Sequence, residues 1–463
     1  DLHDAWRELE AAQVMQGAAF AHDLVFETTR DAVPVALRRW LHMQVAGWLE
    51  ARAGAHLDCP SLTTLRSASL TIQGSTTRLP VAQITTADDC WLQALDGAVL
   101  RFTGLPGYDA LTLGSVRFLA TGNGSELSFP KLASLRGTRA QFTTLQVQAG
   151  PGSRVRMPVL TNVVDGALEF LCEGTNALLE LDVLPSLSGP ALEARAGGTL
   201  SVPLLRSFRR GSLVVRGAGS ILPVAQITSL DGTSVFATGG AVLRFSNLTA
   251  YDALAVGSRE LSASGAGSRL EFPALATLIG TASQFAMLSI TATGGGVVDM
   301  PQLAQVSSTS LRFAATGEGS RVQLPTLADL DGSGFEAETG GTVSVPALQT
   351  FRRGSLIVRG AVSILPVAQI TSLDGASVVA TGGAVLRFDS VTAYDAKAVG
   401  SRSLGAFDPG SRLEFPALNT LTGTASMFAT LTVEAGGGGV VGLPKLTQVS
   451  TPSIRFAATG AGR

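Results

Sequence analysis

The sequence predicts an all-β fold, a right-handed parallel β-helix (β-solenoid), and three observations lead to it. The segment SILPVAQITSLDG begins at Ser220 and again at Ser363, and a divergent version, RLPVAQITTADD, begins at Arg78. Shorter motifs of the form apolar-x-apolar-Pro-x-Leu recur inside each long repeat. Glycine is abundant, at 53 of 463 residues, whereas charged residues make up only 15%. Together these features favour a repeat array with many turns and one long apolar core.

Proline marks the period of the long repeat. Pro80, Pro223 and Pro366 follow one another at one constant interval. The same interval separates Pro60, Pro203 and Pro346. The copies therefore run over residues 60–202, 203–345 and 346–463, and the third is incomplete.

Each copy divides into six coils, and a proline slot marks each coil. A coil has about 20 to 28 residues, a length typical of stacked repeat units. The residue before the slot is always apolar, as at Leu222, Phe245 and Phe272, and the alternation around it indicates a strand with one buried face. Proline ends that strand because it cannot donate to a ladder.

A second strand signal, such as SLVVRG or LRFAATG, precedes most slots, with glycines at the corners. Two or three short strands per coil, stacked in register, describe a β-helix. The chain thus predicts about 17 coils in a rod on the order of 80 Å long.

Three other repeat folds fit less well. Leucine-rich repeats need an asparagine ladder, and calcium-binding β-rolls need G-G-x-G-x-D, and neither motif occurs here. A left-handed hexapeptide helix has uniform turns, whereas these coils vary in length.

Residues 1–56 contain no repeat and are predicted to form a small α-helical cap. Apolar residues recur there at helical spacing: Leu37, Trp40, Leu41, Val45, Trp48 and Leu49. A helical segment of this kind would cover the open first coil of the solenoid, which runs over residues 57–463. A docking segment for another chain is the alternative.

The other end is expected to be open. The chain stops at Arg463 in RFAATGAGR, which is the counterpart of a segment that begins at Arg312. An uncovered last coil would pair with another strand. The expected partners are therefore further copies of this chain, or the continuation of a larger one.

Composition limits the remaining classes of partner. The formal net charge of −2 gives no reason to expect nucleic acid, and no apolar run is long enough for a transmembrane helix. The three cysteines, Cys59, Cys90 and Cys172, have no metal-ligand spacing. Cys59 and Cys172 fall at core positions of their coils, which predicts buried thiols.

A Tyr-Asp pair occurs once in every copy and is the candidate binding motif. A tyrosine can stack on a sugar ring while the neighbouring carboxylate accepts its hydroxyls, which would give three equivalent glycan sites. The alternative is a corner in which tyrosine packs and aspartate bonds the backbone. The residues are Tyr108, Asp109, Tyr251, Asp252, Tyr394 and Asp395.

Opposite charges at the outward slot two before the proline predict a charge ladder. Arg244 and Glu271 are one coil apart in the sequence, and so are Arg387 and Glu414. These pairs are expected to fix register between coils and to have no catalytic role.

Candidate catalytic chemistry is sparse. Every histidine except His56 lies before position 50, which argues against a histidine-based site on the solenoid. Asp88 and Asp89 come closest to an acidic cluster, although two adjacent aspartates in a turn more often form a solvated corner. The paired arginines of the FRRGS segments at 208–212 and 351–355 are expected to lie at solvated corners too. The sequence predicts no catalytic residue, no cofactor and no metal. Any singular site is best sought at 163–195, where the first copy differs most.

Motifs such as LEFPALATL and VSVPALQTF resemble the LPxL-type β-solenoid repeats of very large bacterial surface and secreted proteins. The resemblance covers about residues 57 to 463. It implies a secreted or cell-surface location and a non-catalytic role as stalk, adhesin rod or self-assembling fibre subunit. Surface glycans are expected as partners through the Tyr-Asp pairs. The alternative is a secreted carbohydrate-binding or polysaccharide-degrading β-helix protein, either a lyase or a glycoside hydrolase.

Overall fold

The structure is a computed structural model, and it describes most of the chain from Trp48 onward. The described residues are 48–52, 54–110, 115–139, 142–164, 166–254, 257–281, 283, 285–307, 310–396, 400–424, 428–450 and 453–460, with two short strands, Met15–Gln16 and Ala19–Phe20. The chain forms a parallel β-solenoid of about 16 turns, and no helix occurs among these residues. The predicted all-β tandem-repeat architecture is therefore confirmed.

The solenoid has three sides, here named faces A, B and C in the order in which the chain visits them. Face A carries the longest strands, and each pairs in parallel with its neighbours one coil away. Its strands are Trp48–Ala51, Ser69–Gln73, Trp91–Leu95, Val116–Thr121, Leu145–Ala149, Leu168–Glu173, Ala191–Arg195, Ser212–Arg216, Ser234–Thr238, Arg259–Ser264, Leu288–Thr293, Leu311–Thr316, Gly334–Glu338, Ser355–Arg359, Ser377–Thr381, Arg402–Phe407, Leu431–Gly436 and Ile454–Thr459.

Face B contains the short strands that end two positions before each proline slot. Its strands are Val99–Arg101, Glu126–Ser128, Arg154–Arg156, Leu178–Glu180, Thr199–Ser201, Val242–Arg244, Arg269–Glu271, Val297–Asp299, Arg321–Gln323, Thr342–Ser344, Val385–Arg387, Arg412–Glu414 and Val440–Gly442.

Face C follows the slot and is broken into short sheets of two or three strands. One break separates Asn162–Val164 from Ser186–Ser188, and its equivalent in the next copy separates Gln305–Ser307 from Asp329–Asp331. The strands are Thr64–Arg66, Thr86–Asp88, Gly107–Asp109, Ser134–Arg136, Asn162–Val164, Ser186–Ser188, Ser207–Arg209, Ala250–Asp252, Thr277–Ile279, Gln305–Ser307, Asp329–Asp331, Thr350–Arg352, Ala393–Asp395, Thr420–Thr422 and Gln448–Ser450.

One continuous core runs inside the three faces. The residue before each proline slot points into it, and in adjacent coils these side chains stack: the rings of Phe245 and Phe272 lie 5.1 Å apart, and those of Phe388 and Phe415 lie 4.9 Å apart. Each ring therefore covers the one below it, as expected for coils that repeat in register. This is the packing that the apolar slots predict.

A buried serine joins coils at the corner between faces A and B. The Ser268 hydroxyl accepts a hydrogen bond from Gly240 N at 2.9 Å in the preceding coil and donates to Ser264 O at 2.7 Å. Gly240 has a φ of +86°, a conformation that favours glycine. The Ser268 hydroxyl thus both accepts and donates a hydrogen bond within the solenoid. The sequence pattern alone did not reveal this contact.

The helical prediction for residues 1–56 is wrong at its end. Trp48 and Leu49 lie in a face A strand that pairs in parallel with Ser69–Gln73, where Trp48 is the register partner of Ser69 and Leu49 that of Leu70. The solenoid ladder therefore begins upstream of residue 57. The rest of the predicted cap, including Leu37, Trp40, Leu41 and Val45, lies outside the described residues.

Candidate functional site

The three tyrosines of the Tyr-Asp pairs lie in the core. Tyr108 is 3% exposed, and Tyr251 and Tyr394 are 1% exposed. The Tyr251 hydroxyl donates to Thr233 O at 2.8 Å, and Tyr394 does the same to Ala376 O at 2.7 Å. Burial raises the pKa of all three phenols. Because the rings face inward, they offer no surface on which a sugar could stack, and their geometry is that of packing residues at a corner.

The aspartates of the pairs join neighbouring coils. In each copy the aspartate's backbone N–H donates to a carboxylate one coil earlier, at 3.0 to 3.1 Å. The donor–acceptor pairs are Asp109 with Asp88, Asp252 with Asp231, and Asp395 with Asp374. Asp89, the other candidate acid, accepts a hydrogen bond from the Ser67 hydroxyl at 3.0 Å. The carboxylates of Asp88, Asp231 and Asp374 therefore bond the backbone of the Tyr-Asp pair one coil later, on face C.

The predicted charge ladder lies on face B. Arg244 Nη1 is 2.7 Å from Glu271 Oε2, and Arg387 Nη1 is 2.9 Å from Glu414 Oε2, with each pair directly in register. Hydrogen bonds from Arg387 and then Arg412 lower the pKa of Glu414. Both glutamates are thus held ionised on the surface of the solenoid.

A second carboxylate stacks on Glu271. Asp299 is its register partner in the next coil, and its pKa is raised, first by burial and then by the Glu271 charge. Burial also favours a higher pKa for Glu271, but hydrogen bonds from Arg269 and Arg244 outweigh it and lower the pKa. Carboxylates with pKa values displaced in opposite directions are typical of acid–base pairs. Here both Glu271 oxygens are bound by arginines, so the Glu271 carboxylate is not free to act as a nucleophile.

None of the three cysteines, all of which are described residues, forms a disulfide bond. Cys172 lies in the core in register with Ala149 and Ala194, and burial raises its pKa to about 12. Burial likewise raises the pKa of Cys90 to about 11. The prediction of a buried thiol is confirmed for Cys172, whereas Cys59 is only half-buried.

The paired arginines occupy equivalent corners of face C but have different partners. In the third copy, Arg352 bonds Asp329 at 3.1 Å, and Arg353 Nε bonds Asp331 Oδ1 at 2.7 Å. At the equivalent corner one copy earlier, Arg209 bonds Asp231 at 3.2 Å. No described ion pair involves Arg210 there. The two corners therefore differ in charge although both carry the sequence FRRGS.

A groove of about 510 Å³ lies at the first of these corners. It is lined by three face C strands, Asn162–Val164, Ser186–Ser188 and Ser207–Arg209, together with Arg210, Asp231 and Leu254. Of those strands, Asn162–Val164 begins at the edge of the region 163–195 and Ser186–Ser188 lies within it; this is the region in which any singular site was best sought. Sequence reasoning missed the groove because its arginines look identical in both copies. Aligning the strand before them would have revealed serines in one copy and aspartates in the other.

In the described part of the chain, no group of three or more histidine, cysteine or acidic side chains is arranged to hold a metal ion. No described helix could span a membrane.

Comparison of the chain with protein-family models, with curated proteins and with solved structures gave no match. The fold class rests on the structure itself, and function must be argued from the geometry.

Proposed function

We propose that this chain is the rod of a bacterial secreted or cell-surface structural protein, acting as a stalk, an adhesin shaft or a fibre subunit. The observation that carries the proposal is the uninterrupted face A ladder from Trp48–Ala51 to Ile454–Thr459 over one continuous core. Eighteen strands spaced by about 4.8 Å give a body roughly 80 Å long. A rod of fixed cross-section is suited to holding two points apart.

Ion pairs between adjacent coils support the same role. Ion pairs connect adjacent coils on face B and on face A, where Arg216 bonds Glu193 at 2.9 Å and Arg312 bonds Glu336 at 2.7 Å. The exposed pairs of face B contribute little individually, at about 0.2–1 kcal/mol, whereas the glutamates of the two face A pairs are buried. Their arrangement from coil to coil favours one register and disfavours slipped pairings.

The finer features of the sequence analysis remain part of this proposal. They are a right-handed coil, about 17 coils in all and a helical cap before residue 48. The resemblance to LPxL-type repeats supports the proposed location. Parallel strands joined by a crossover within one sheet are overwhelmingly right-handed, which supports the proposed hand.

Electron microscopy of the purified chain, combined with an activity assay, tests the proposal. From the strand spacing we expect single rods roughly 80 Å long, or fibres built from them. We expect no release of reducing ends or unsaturated uronides from polygalacturonate. Antibody labelling of intact producing cells should match labelling of permeabilised cells. Compact particles that depolymerise the polymer, or labelling confined to permeabilised cells, would contradict the proposal.

A further inference from the structure

The groove on face C between copies one and two keeps both arginines of its counterpart one copy later, but two serines stand where that counterpart has aspartates. Four other lining positions also differ, at Thr161, Asn162, Ser207 and Leu254. Ser186 and Ser188 pair in register with Ser207 and Arg209. At the equivalent positions, Asp329 and Asp331 pair with Thr350 and Arg352 in the same register. Two corners of this chain can therefore be compared directly. Both have the same strand register beside a pair of arginines, but the later corner has two carboxylates there and the earlier corner has two serines.

In the later copy the carboxylates neutralise the arginines. Asp329 accepts from Arg352, and Asp331 accepts from two nitrogens of Arg353, a bidentate arrangement. The Arg353 hydrogen bond lowers the pKa of Asp331. Both arginines of that corner therefore have carboxylate partners within the chain, and the corner needs no bound anion.

In the earlier copy, serines replace the two aspartates, so that only one of the two arginines has a carboxylate partner among the described residues. Arg209 turns to Asp231 and to the Ser229 hydroxyl, at 3.2 and 3.1 Å. Among the described residues no carboxylate forms an ion pair with Arg210. Two arginines and one aspartate give this corner a formal charge of +1, whereas the equivalent residues of the later corner, two arginines, one lysine and three aspartates, sum to zero. Leu254 has Lys397 as its counterpart, which lies outside the described residues.

Arg210 is held in place by its backbone and its aliphatic stem. Its φ is +56°, in the left-handed region, and its N–H donates to Asp231 O at 3.0 Å. The stem packs over Gly232, where an added Cβ would lie 3.5 Å from Arg210 Cγ and 2.8 Å from Leu254 Cδ1. The guanidinium is therefore carried on a fixed base at the edge of the groove.

The other lining groups are small and polar or apolar. Asn162, Ser186 and Ser188 are exposed hydrogen-bonding side chains, and Leu187 is buried beneath them. The groove volume of about 510 Å³ lies within the range of small-ligand pockets. A guanidinium binds a carboxylate through two parallel hydrogen bonds, and hydroxyl and amide side chains suit the hydroxyls of a sugar ring.

We propose that this groove binds a carboxylate-bearing saccharide, with Arg210 on the uronate carboxylate and Asn162, Ser186 and Ser188 on the ring hydroxyls. One uncompensated positive charge matches one carboxylate. The site occurs once in the described chain, because Asp329 and Asp331 occupy the anion's place at the later corner. The inference goes beyond the rod proposal and does not depend on it, since binding is measured on the isolated chain.

Calorimetric titration of the full chain with trigalacturonate at low ionic strength tests the proposal, with neutral maltotriose as the matched probe. We expect one trigalacturonate per chain and no binding of maltotriose. Arg210→Gln should weaken binding by about tenfold or more, as expected for loss of a charge-assisted contact. The double variant Ser186→Asp/Ser188→Asp should weaken it at least as much, because it places the later copy's carboxylates beside the arginines.

The reverse double variant, Asp329→Ser/Asp331→Ser, provides the matched control. It should raise the stoichiometry from one trigalacturonate to two, because it frees Arg353. This gain of binding keeps the test decisive if a variant of the first corner folds poorly, which circular dichroism and thermal melting will show.

Four results would overturn the proposal. They are absence of trigalacturonate binding, equal binding of maltotriose, unchanged affinity in Ser186→Asp/Ser188→Asp, and binding of inorganic sulfate as tight as that of the trisaccharide. The last result would mean that the corner takes a free oxyanion and that the sugar contributes nothing.

Discussion

Deleting one whole copy should shorten the rod without unfolding it. Removal of residues 203–345 joins Val202 to Pro346, and the native chain already has a valine at 345 before that proline. Leu187 would then face Phe351 in place of Phe208, and Ala194 would face Val358 in place of Val215. The new junction therefore reuses side chains of the same kind, since each coil contacts only its neighbours.

The size of the change follows from the strand spacing. The deleted copy contributes six face A strands, from Ser212–Arg216 to Gly334–Glu338. At about 4.8 Å per strand the rod should lose about 29 Å. Small-angle X-ray scattering should show that decrease in maximum dimension with an unchanged cross-sectional radius, and the melting temperature should stay close to that of the full chain.

A deletion out of phase is the control. Removing residues 203–333 connects a face B strand directly to Gly334–Glu338 on face A, so that one coil loses its face C strand. That variant should lose cooperative melting and aggregate. If the in-phase deletion behaves in the same way, or keeps its full length, the copies are not interchangeable units and the reasoning behind the rod is refuted.

Two substitutions and one thiol-labelling experiment test the core and the surface. Asp299→Asn should raise the free energy of unfolding by about 0.2–1 kcal/mol near neutral pH, because it removes a like charge beside Glu271. The pKa of Asp299 is raised in the folded state, so the wild type loses stability as pH rises through that pKa. In acid, where Asp299 is protonated, urea titrations should therefore show no gain in stability for Asp299→Asn over the wild type. Tyr251→Phe should lower the urea unfolding free energy by about 1–3 kcal/mol by leaving Thr233 O without its partner; no change would exclude a structural role for the hydroxyl. Cys172 should resist thiol reagents near neutral pH until the chain unfolds, because burial raises its pKa to about 12; rapid labelling of the native chain would contradict this.

The solenoid could be predicted because its signals are local and repeated. The residue before each proline slot, such as Phe245, must be apolar to reach the core, and the length of one coil places Arg244 beside Glu271. The strand at Trp48–Ala51 could not be predicted in the same way. Trp48 and Leu49 satisfy a helical spacing as well as an alternating one, and pairing with Ser69–Gln73 decides between them.

The groove shows why equal sequence does not guarantee equal chemistry in a solenoid. The segment FRRGS occurs at both corners, yet Arg353 is neutralised and Arg210 has no described ion pair. The difference comes from the strand one coil earlier, where Ser188 stands in place of Asp331. A contact of that kind depends on register, which the structure defines and a motif does not. In a rod of near-identical copies, a specific site is therefore best sought where equivalent coils differ from one copy to the next. This corner combines such a difference with a groove and a positioned charge.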